Sequence, residues 1–139
     1  MASKQLMEAM NKGIARELQV AVQYMWQHVL WSGVKGFAVK DELKAVAVTE
    51  MKHAEAIAER LNYFGGMPTT KPEPIFIGKT LKEMITRDMK DEEGAMKLYN
   101  DIIKIAAKEG DVVTKKMFEG ILADEEGHFD TFRTILEEI

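Results

Sequence analysis

All three prolines of this chain, Pro68, Pro72 and Pro74, fall inside one stretch, Gly65–Gly78. Proline lacks a backbone donor and clashes with the preceding turn, so a helix interior holds it only at a cost of about 3 kcal/mol or more. The sequence on either side is rich in Ala, Leu, Met, Glu and Lys, residues of high helix propensity. The pattern therefore predicts helix, one long break, then helix. Each half divides again, near Gly33–Gly36 and near Glu109–Asp111. Four long helices are expected, over about 3–32, 38–64, 80–108 and 111–138.

Local signals support these ends. Ser3 is a candidate first cap. Thr80-Leu81-Lys82-Glu83 reads as a capping box, in which the hydroxyl takes an orphan backbone N–H and the glutamate reaches back. Gly110 suits a left-handed position after the third helix, and Asp111 can cap the fourth. Connection lengths then fix topology. The first and third links are short and must join antiparallel neighbours. The middle link, at roughly 3.3 Å per residue, reaches about 46 Å, and a 30-residue helix is about 45 Å long. It can return the chain along the whole bundle. The expected fold is all-α: one domain over residues 1–139, a four-helix bundle of two antiparallel hairpins joined by a long crossover.

The apolar residues fall in helical rows. Met10, Ile14, Val20, Ala21, Tyr24 and Trp31 form one core stripe, and Leu43, Val46, Ala47, Ala54, Ile57, Leu61 and Phe64 another. A second apolar face carries Val22, Met25, Trp26 and Val29 on the first helix and Val48, Met51 and Ala58 on the second. It reads as a subunit interface, with a broader core as the plainer alternative.

Composition removes several function classes. There are no cysteines, so disulfides, thiolate metal sites and cysteine nucleophiles are excluded. The net charge of −4, without a basic block, argues against nucleic acid as a partner. No apolar run approaches the roughly 20 residues of a membrane span. The N-terminus has no apolar signal core, so a cytoplasmic protein is expected.

The chemistry lies in the spacing of acids and histidines. Of His28, His53 and His128, two follow a glutamate by three residues, in Glu50-Met51-Lys52-His53 and Glu125-Glu126-Gly127-His128. Glu17 precedes Glu50 by 33 residues, and Glu92 precedes Glu125 by 33. Glu17, Tyr24, Glu50 and His53 thus reappear, displaced by 75, as Glu92, Tyr99, Glu125 and His128. The two hairpins look like copies, which predicts an approximate two-fold axis. Residues three apart share a helix face, so each Glu-x-x-His pair aims a carboxylate and an imidazole at one spot. Four buried carboxylates are untenable alone, and two divalent cations would neutralise them. Oxygen and imidazole donors suit iron or manganese, and the ligand pattern is that of di-metal carboxylate bundles. His28 has no acidic partner of this kind and reads as structural or as a minor iron contact.

The sequence resembles the ferritin-like superfamily, and within it most nearly the bacterioferritins. The resemblance rests on Glu17–Tyr24, Glu50–Ala54, Ile77-Gly78 leading into Glu92, and Asp124–Asp130. It implies that Glu17, Glu50 and His53 hold one iron ion and Glu92, Glu125 and His128 the other, with Glu50 and Glu125 bridging. It implies a ferroxidase that oxidises Fe(II) with dioxygen or peroxide, and storage of Fe(III) mineral by a homo-oligomer, from a dimer up to a 24-subunit shell. Asp124 is expected to accept from a ligand histidine, with Asp88 as another candidate acceptor. Tyr24 and Tyr99 read either as donors to ligand carboxylates or as ordinary core residues.

Met51 follows Glu50 by one residue, about 100° round the helix, and should face outward. Its position matches the methionine by which bacterioferritins hold haem b between two subunits. Apolar packing is the plainer reading. Bacterioferritins usually carry a short fifth helix; this sequence ends at Glu137-Glu138-Ile139. Two other readings stay open. A rubrerythrin-like peroxidase would place a second glutamate three or four residues after the first, where Ala95 and Met96 stand. In a metal-free helical scaffold, the acids and histidines would be surface charges.

Overall fold

The computed structural model describes residues 2–139. Four helices run in order: α1 (Lys4–Leu30), α2 (Val34–Tyr63), α3 (Leu81–Lys108) and α4 (Val112–Glu138). The α1–α2 and α3–α4 pairs pack most extensively, and α1–α3 forms the next seam. Among the described residues no helix is long and apolar enough to cross a membrane.

The crossover can be followed by its hydrogen bonds to α1. Asn11 Nδ2 donates to the Met67 carbonyl at 3.1 Å, and its Oδ1 accepts from the Thr69 N–H at 2.9 Å. The Glu73 N–H donates to the Ala15 carbonyl, the Phe76 N–H to Gln23 Oε1, and Gln27 Nε2 to the Ile77 carbonyl. The contact points climb α1 from Asn11 to Gln27. The link therefore returns the chain to the opposite end of the bundle, as its length allows, and α3 starts beside the end of α1.

The caps explain where the helices begin. Ser3 accepts from the Leu6 N–H. Thr80 accepts from the Glu83 N–H, but the Glu83 carboxylate reaches back to the Lys79 N–H, one residue beyond the usual capping-box partner. Gly110 takes φ +76°, and the Asp111 N–H bonds back to the Ala106 carbonyl. This left-handed closure costs glycine little.

Asp111 accepts from the Thr114 N–H and pairs with Arg60 Nη2 at 3.0 Å. Burial pulls its carboxyl upward, but the Thr114 hydrogen bonds and the Arg60 charge outweigh it and hold the group below its usual range. Asp111→Ala should cost about 1–2 kcal/mol in unfolding free energy. A depressed carboxyl stabilises the fold above its unfolded pKa of about 3.9, and that stability is lost as pH falls through the folded value. Urea titrations at stepped pH should therefore show the gap between variant and parent closing below about pH 4.

The second helix starts at Val34, earlier than expected, and Gly36 is helical. The reason is packing. A Cβ on Gly36 would lie 0.6 Å from Trp31 Nε1, so this glycine makes room for the indole rather than breaking the helix. Gly36→Ala should expel Trp31. The usual helical gain of about 1 kcal/mol is outweighed by overpacking of about 1–3 kcal/mol. The expected result is a small loss of stability with a red shift in tryptophan emission.

Two apolar clusters occupy the ends of the bundle. One gathers Leu6, Met10, Ile14, Ile57, Leu61, Tyr99, Ile102 and Phe118. The other gathers Val20, Tyr24, Leu43, Val46, Leu81, Ile85 and Phe132. Positions 75 apart are buried alike: Leu6 with Leu81, Leu43 with Phe118, Val46 with Ile121, Ile57 with Phe132. Between the clusters lies a polar waist. The second apolar face stays open: Trp26, Val29, Val48 and Met51 are all at least 40% exposed.

Candidate metal centre

Each helix brings one glutamate to the waist on its buried row. On α1 the row includes Ile14, Glu17, Ala21 and Tyr24; on α2, Val46, Glu50, His53 and Ile57. On α3 it includes Asp88, Glu92, Ala95 and Tyr99; on α4, Phe118, Ile121, Glu125 and Phe132. These spacings of three, four and, on α4, seven keep a polar side chain on the same face as the apolar residues that bury it. Glu17, Glu50, Glu92 and Glu125 are fully buried.

The six side chains converge. Glu17, Glu50, His53 and Glu125 offer ligand atoms within 4.8 Å of one another, and so do Glu50, Glu92, Glu125 and His128. Glu50 and Glu125 belong to both groups. His53 Nδ1 lies 3.1 Å from Glu50, 3.5 Å from Glu125 and 3.7 Å from Glu17. His128 Nδ1 lies 3.2 Å from Glu125, 3.4 Å from Glu50 and 3.7 Å from Glu92. The near-equality follows from the 75-residue repeat.

Neighbouring groups orient these side chains. Tyr24 donates to Glu92 at 2.9 Å, and Tyr99 donates to Glu17. Each tyrosine thus serves the glutamate of the other hairpin. Asp124 accepts from His53 Nε2 at 2.8 Å, which leaves Nδ1 facing the carboxylates. Asp88 does not take the role expected of it. Its Oδ1 accepts from Gln23 and Gln27, and no imidazole is among its hydrogen-bond partners. His28 lies outside the cluster, its Nδ1 2.6 Å from the Lys40 carbonyl.

Arg16 is the residue that sequence reasoning missed. Its guanidinium enters the waist, only 7% exposed. Nη1 donates to Glu17 at 3.1 Å, to Glu50 at 2.8 Å and to Glu125; Nη2 pairs with Glu92 at 3.0 Å. The signal was present: Arg16, Val20, Gln23 and Gln27 form a helical row, and the 75-residue offset sets Arg16 against Asp91. Gln19, Gln23 and Gln27 continue the polar seam, with Gln23 Nε2 donating to Asp91 at 2.8 Å.

The site's electrostatics show how it tolerates four acids. Burial pushes Glu17 up to about 7 against the pull of Arg16. Burial and the neighbouring glutamates raise Glu50 well above the carboxylate range. For Glu125 burial is outweighed by Arg16 and both imidazoles, and the group is held well below that range. Burial would lower the histidines, but the surrounding carboxylates dominate, raising His53 strongly and His128 to about 12. Protons and Arg16 thus supply the positive charge that cations would bring.

The donor set fits a pair of metal ions. Glu17 Oε2, Glu50 Oε1, Glu92 Oε2, Glu125 Oε1 and both Nδ1 atoms are buried without a hydrogen-bond partner. Glu92 Oε2 is close enough to Arg16 for an ion pair but is not aligned for a hydrogen bond. Buried polar atoms are normally satisfied, so six orphans aimed into one space mark a ligand site. The carboxylates also lie inside the bundle, where a scaffold would have kept them on its surface. Met51 stands apart, 47% exposed on the outer face. It lines an apolar groove of about 390 Å³ with Ala21, Val22, Met25, Trp26, Ala47 and Val48.

Comparison with known proteins agrees with this geometry. The family model of the ferritin-like domain matches residues 7–139. The bacterioferritin of Desulfovibrio desulfuricans is 32% identical over 131 residues, 94% of this chain and 73% of the relative. Its solved structure, reported with the diiron site in different catalytic states, covers 97% of this chain and 80% of its own, at 30% identity and a TM-score of 0.85. A ferritin-like diiron-carboxylate protein from Bacillus anthracis has a TM-score of 0.94 at 25% identity, covering 98% of this chain and 99% of its own. Rhodobacter capsulatus bacterioferritin, solved with a metal-free dinuclear site and haem iron in a crystallographic special position, has a TM-score of 0.88 at 28% identity. It covers 99% of this chain and 87% of its own.

Proposed function

We propose, from the premise that this chain belongs to the ferritin-like family and within it to the bacterioferritins, that it oxidises Fe(II) and stores the product. The observation that carries this reading is the convergence of six side chains whose unsatisfied atoms face one another in the buried waist. Glu17 and His53 would hold one iron ion and Glu92 and His128 the other, while Glu50 and Glu125, common to both groups, would serve both. Bound there, the iron pair supplies the electrons that reduce dioxygen or peroxide as Fe(II) becomes Fe(III).

The protein's own contribution is positioning and charge. Tyr24 and Tyr99 fix the terminal carboxylates, and Asp124 holds the His53 ring. Four carboxylates balance two divalent ions and favour the higher charge that oxidation creates. Complete burial of the glutamates keeps water from competing for their oxygens. The whole chain acts as one ferritin-like unit, and the open α1–α2 face pairs with a second copy, in assemblies from a dimer up to a 24-subunit shell. Met51 on that face would help hold a haem b between this chain and a second copy. The apolar groove around Met51, lined also by Met25 and Trp26, supports this assignment.

The deciding experiment is anaerobic Fe(II) loading followed by stopped-flow mixing with dioxygen or peroxide. Two Fe(II) per chain should be oxidised in a rapid phase, and Fe(III) should stay with the protein on gel filtration. Oxidation no faster than in buffer would overturn the reading. Turnover with peroxide and no retained iron would favour a rubrerythrin-like peroxidase, although Ala95 and Met96 offer no further carboxylate.

A further inference from the structure

We infer that Arg16 is a counter-cation to the four carboxylates and is displaced when metal ions enter, so that it sets the affinity of the site. This deepens the proposed function and rests on it. The inference follows from how the guanidinium is placed. Its Nη1 bonds Glu50 and Glu125, the two residues common to both ligand groups, and Glu17 as well. Its Nη2 reaches Glu92. One side chain therefore engages all four carboxylates.

A guanidinium cannot give up its proton in a protein, so it can leave the site only by moving. It also cannot share the space. Metal–oxygen bonds to carboxylates are roughly 2.0–2.2 Å long, and Nη1 lies 2.8 Å from Glu50 on the side that faces Glu125. Charge gives the same answer. Two divalent ions balance four carboxylates, and a retained guanidinium would add an unmatched positive charge beside them.

A place to withdraw to exists on the same seam. Arg16 Nη2 already lies 3.4 Å from the Asp91 carbonyl. The Asp91 carboxylate is partly exposed and is met by Gln19, Gln23 and Arg87. Arg16 Nε has no hydrogen-bond partner while the guanidinium points inward, so the inward position is not fully satisfied.

The test is Co(II) titration of the metal-free protein, followed by its visible absorption, with thermal unfolding of the empty and loaded forms. Arg16→Gln should bind Co(II) at least tenfold more tightly than the parent. Its empty form should melt lower than the parent's, and its loaded form should melt close to the loaded parent. Arg16→Lys keeps the charge but loses the fork and should bind with intermediate affinity. If Arg16→Gln folds only when Co(II) is present, the inference stands. Unchanged or weaker Co(II) binding by Arg16→Gln overturns it, as does failure to fold even with Co(II). If the unmodified protein binds no Co(II), the metal-centre reading falls with it; tight parental binding that ignores Arg16 sinks the inference alone.

Discussion

Glu50→Ala abolishes rapid Fe(II) oxidation while the bundle stays folded: this is the largest effect expected from a single substitution. Glu50 belongs to both candidate ligand groups, so under the proposed function its loss would remove a donor from each metal ion. Altering an outer-shell partner typically costs 10–100-fold in affinity or activity, so losing a bridging ligand should exceed about 100-fold in the stopped-flow rate. Glu125→Ala should be equally inactive, yet the two variants should differ without metal. Burial and the neighbouring glutamates raise Glu50 well above the carboxylate range, so its removal should cost the metal-free protein less than the removal of Glu125. Glu125 is the charged partner of Arg16 and both imidazoles. Removing it leaves buried positive charge unmatched, and breaking such a pair costs about 3–5 kcal/mol. Thermal unfolding of the two metal-free variants checks the distinction.

The second large effect is spectroscopic. Met51→Leu should remove all haem absorbance from protein expressed with haem available, and leave Fe(II) oxidation within about twofold of the parent. Met51 is half-exposed on the outer groove and has no place among the ligand groups. Exchanging it for leucine nearly conserves volume, which usually costs below about 1.5 kcal/mol. What leucine lacks is the sulfur. A haem band that survives the substitution would remove Met51 from the ligand role and leave the face as plain apolar packing.

Much of the architecture could be read from punctuation alone. Three clustered prolines, Gly110 and the caps at Ser3, Thr80 and Asp111 mark element ends through local chemistry, and local chemistry is what a sequence states openly. The crossover route followed from length. The meeting of the six acids and imidazoles was legible for a different reason: an internal repeat turns spacing along the chain into symmetry in space. Gly36 was misread as a breaker because its partner, the Trp31 ring, is a tertiary fact. Arg16 was overlooked because a lone arginine beside a glutamate reads as a solvated charge. Only the crossing of α1 with α3 shows that its side chain turns into the waist.

The way the two ligand groups are assembled has a mechanical consequence. One takes Glu17, Glu50 and His53 from the first hairpin and Glu125 from the second; the other takes Glu50 from the first and the remainder from the second. An ion seated in the waist would therefore act as a rivet through both halves. Cohesion along that joint would rise as the waist fills and fall as it empties, so occupancy of the centre and the tightness with which the two hairpins close would change together.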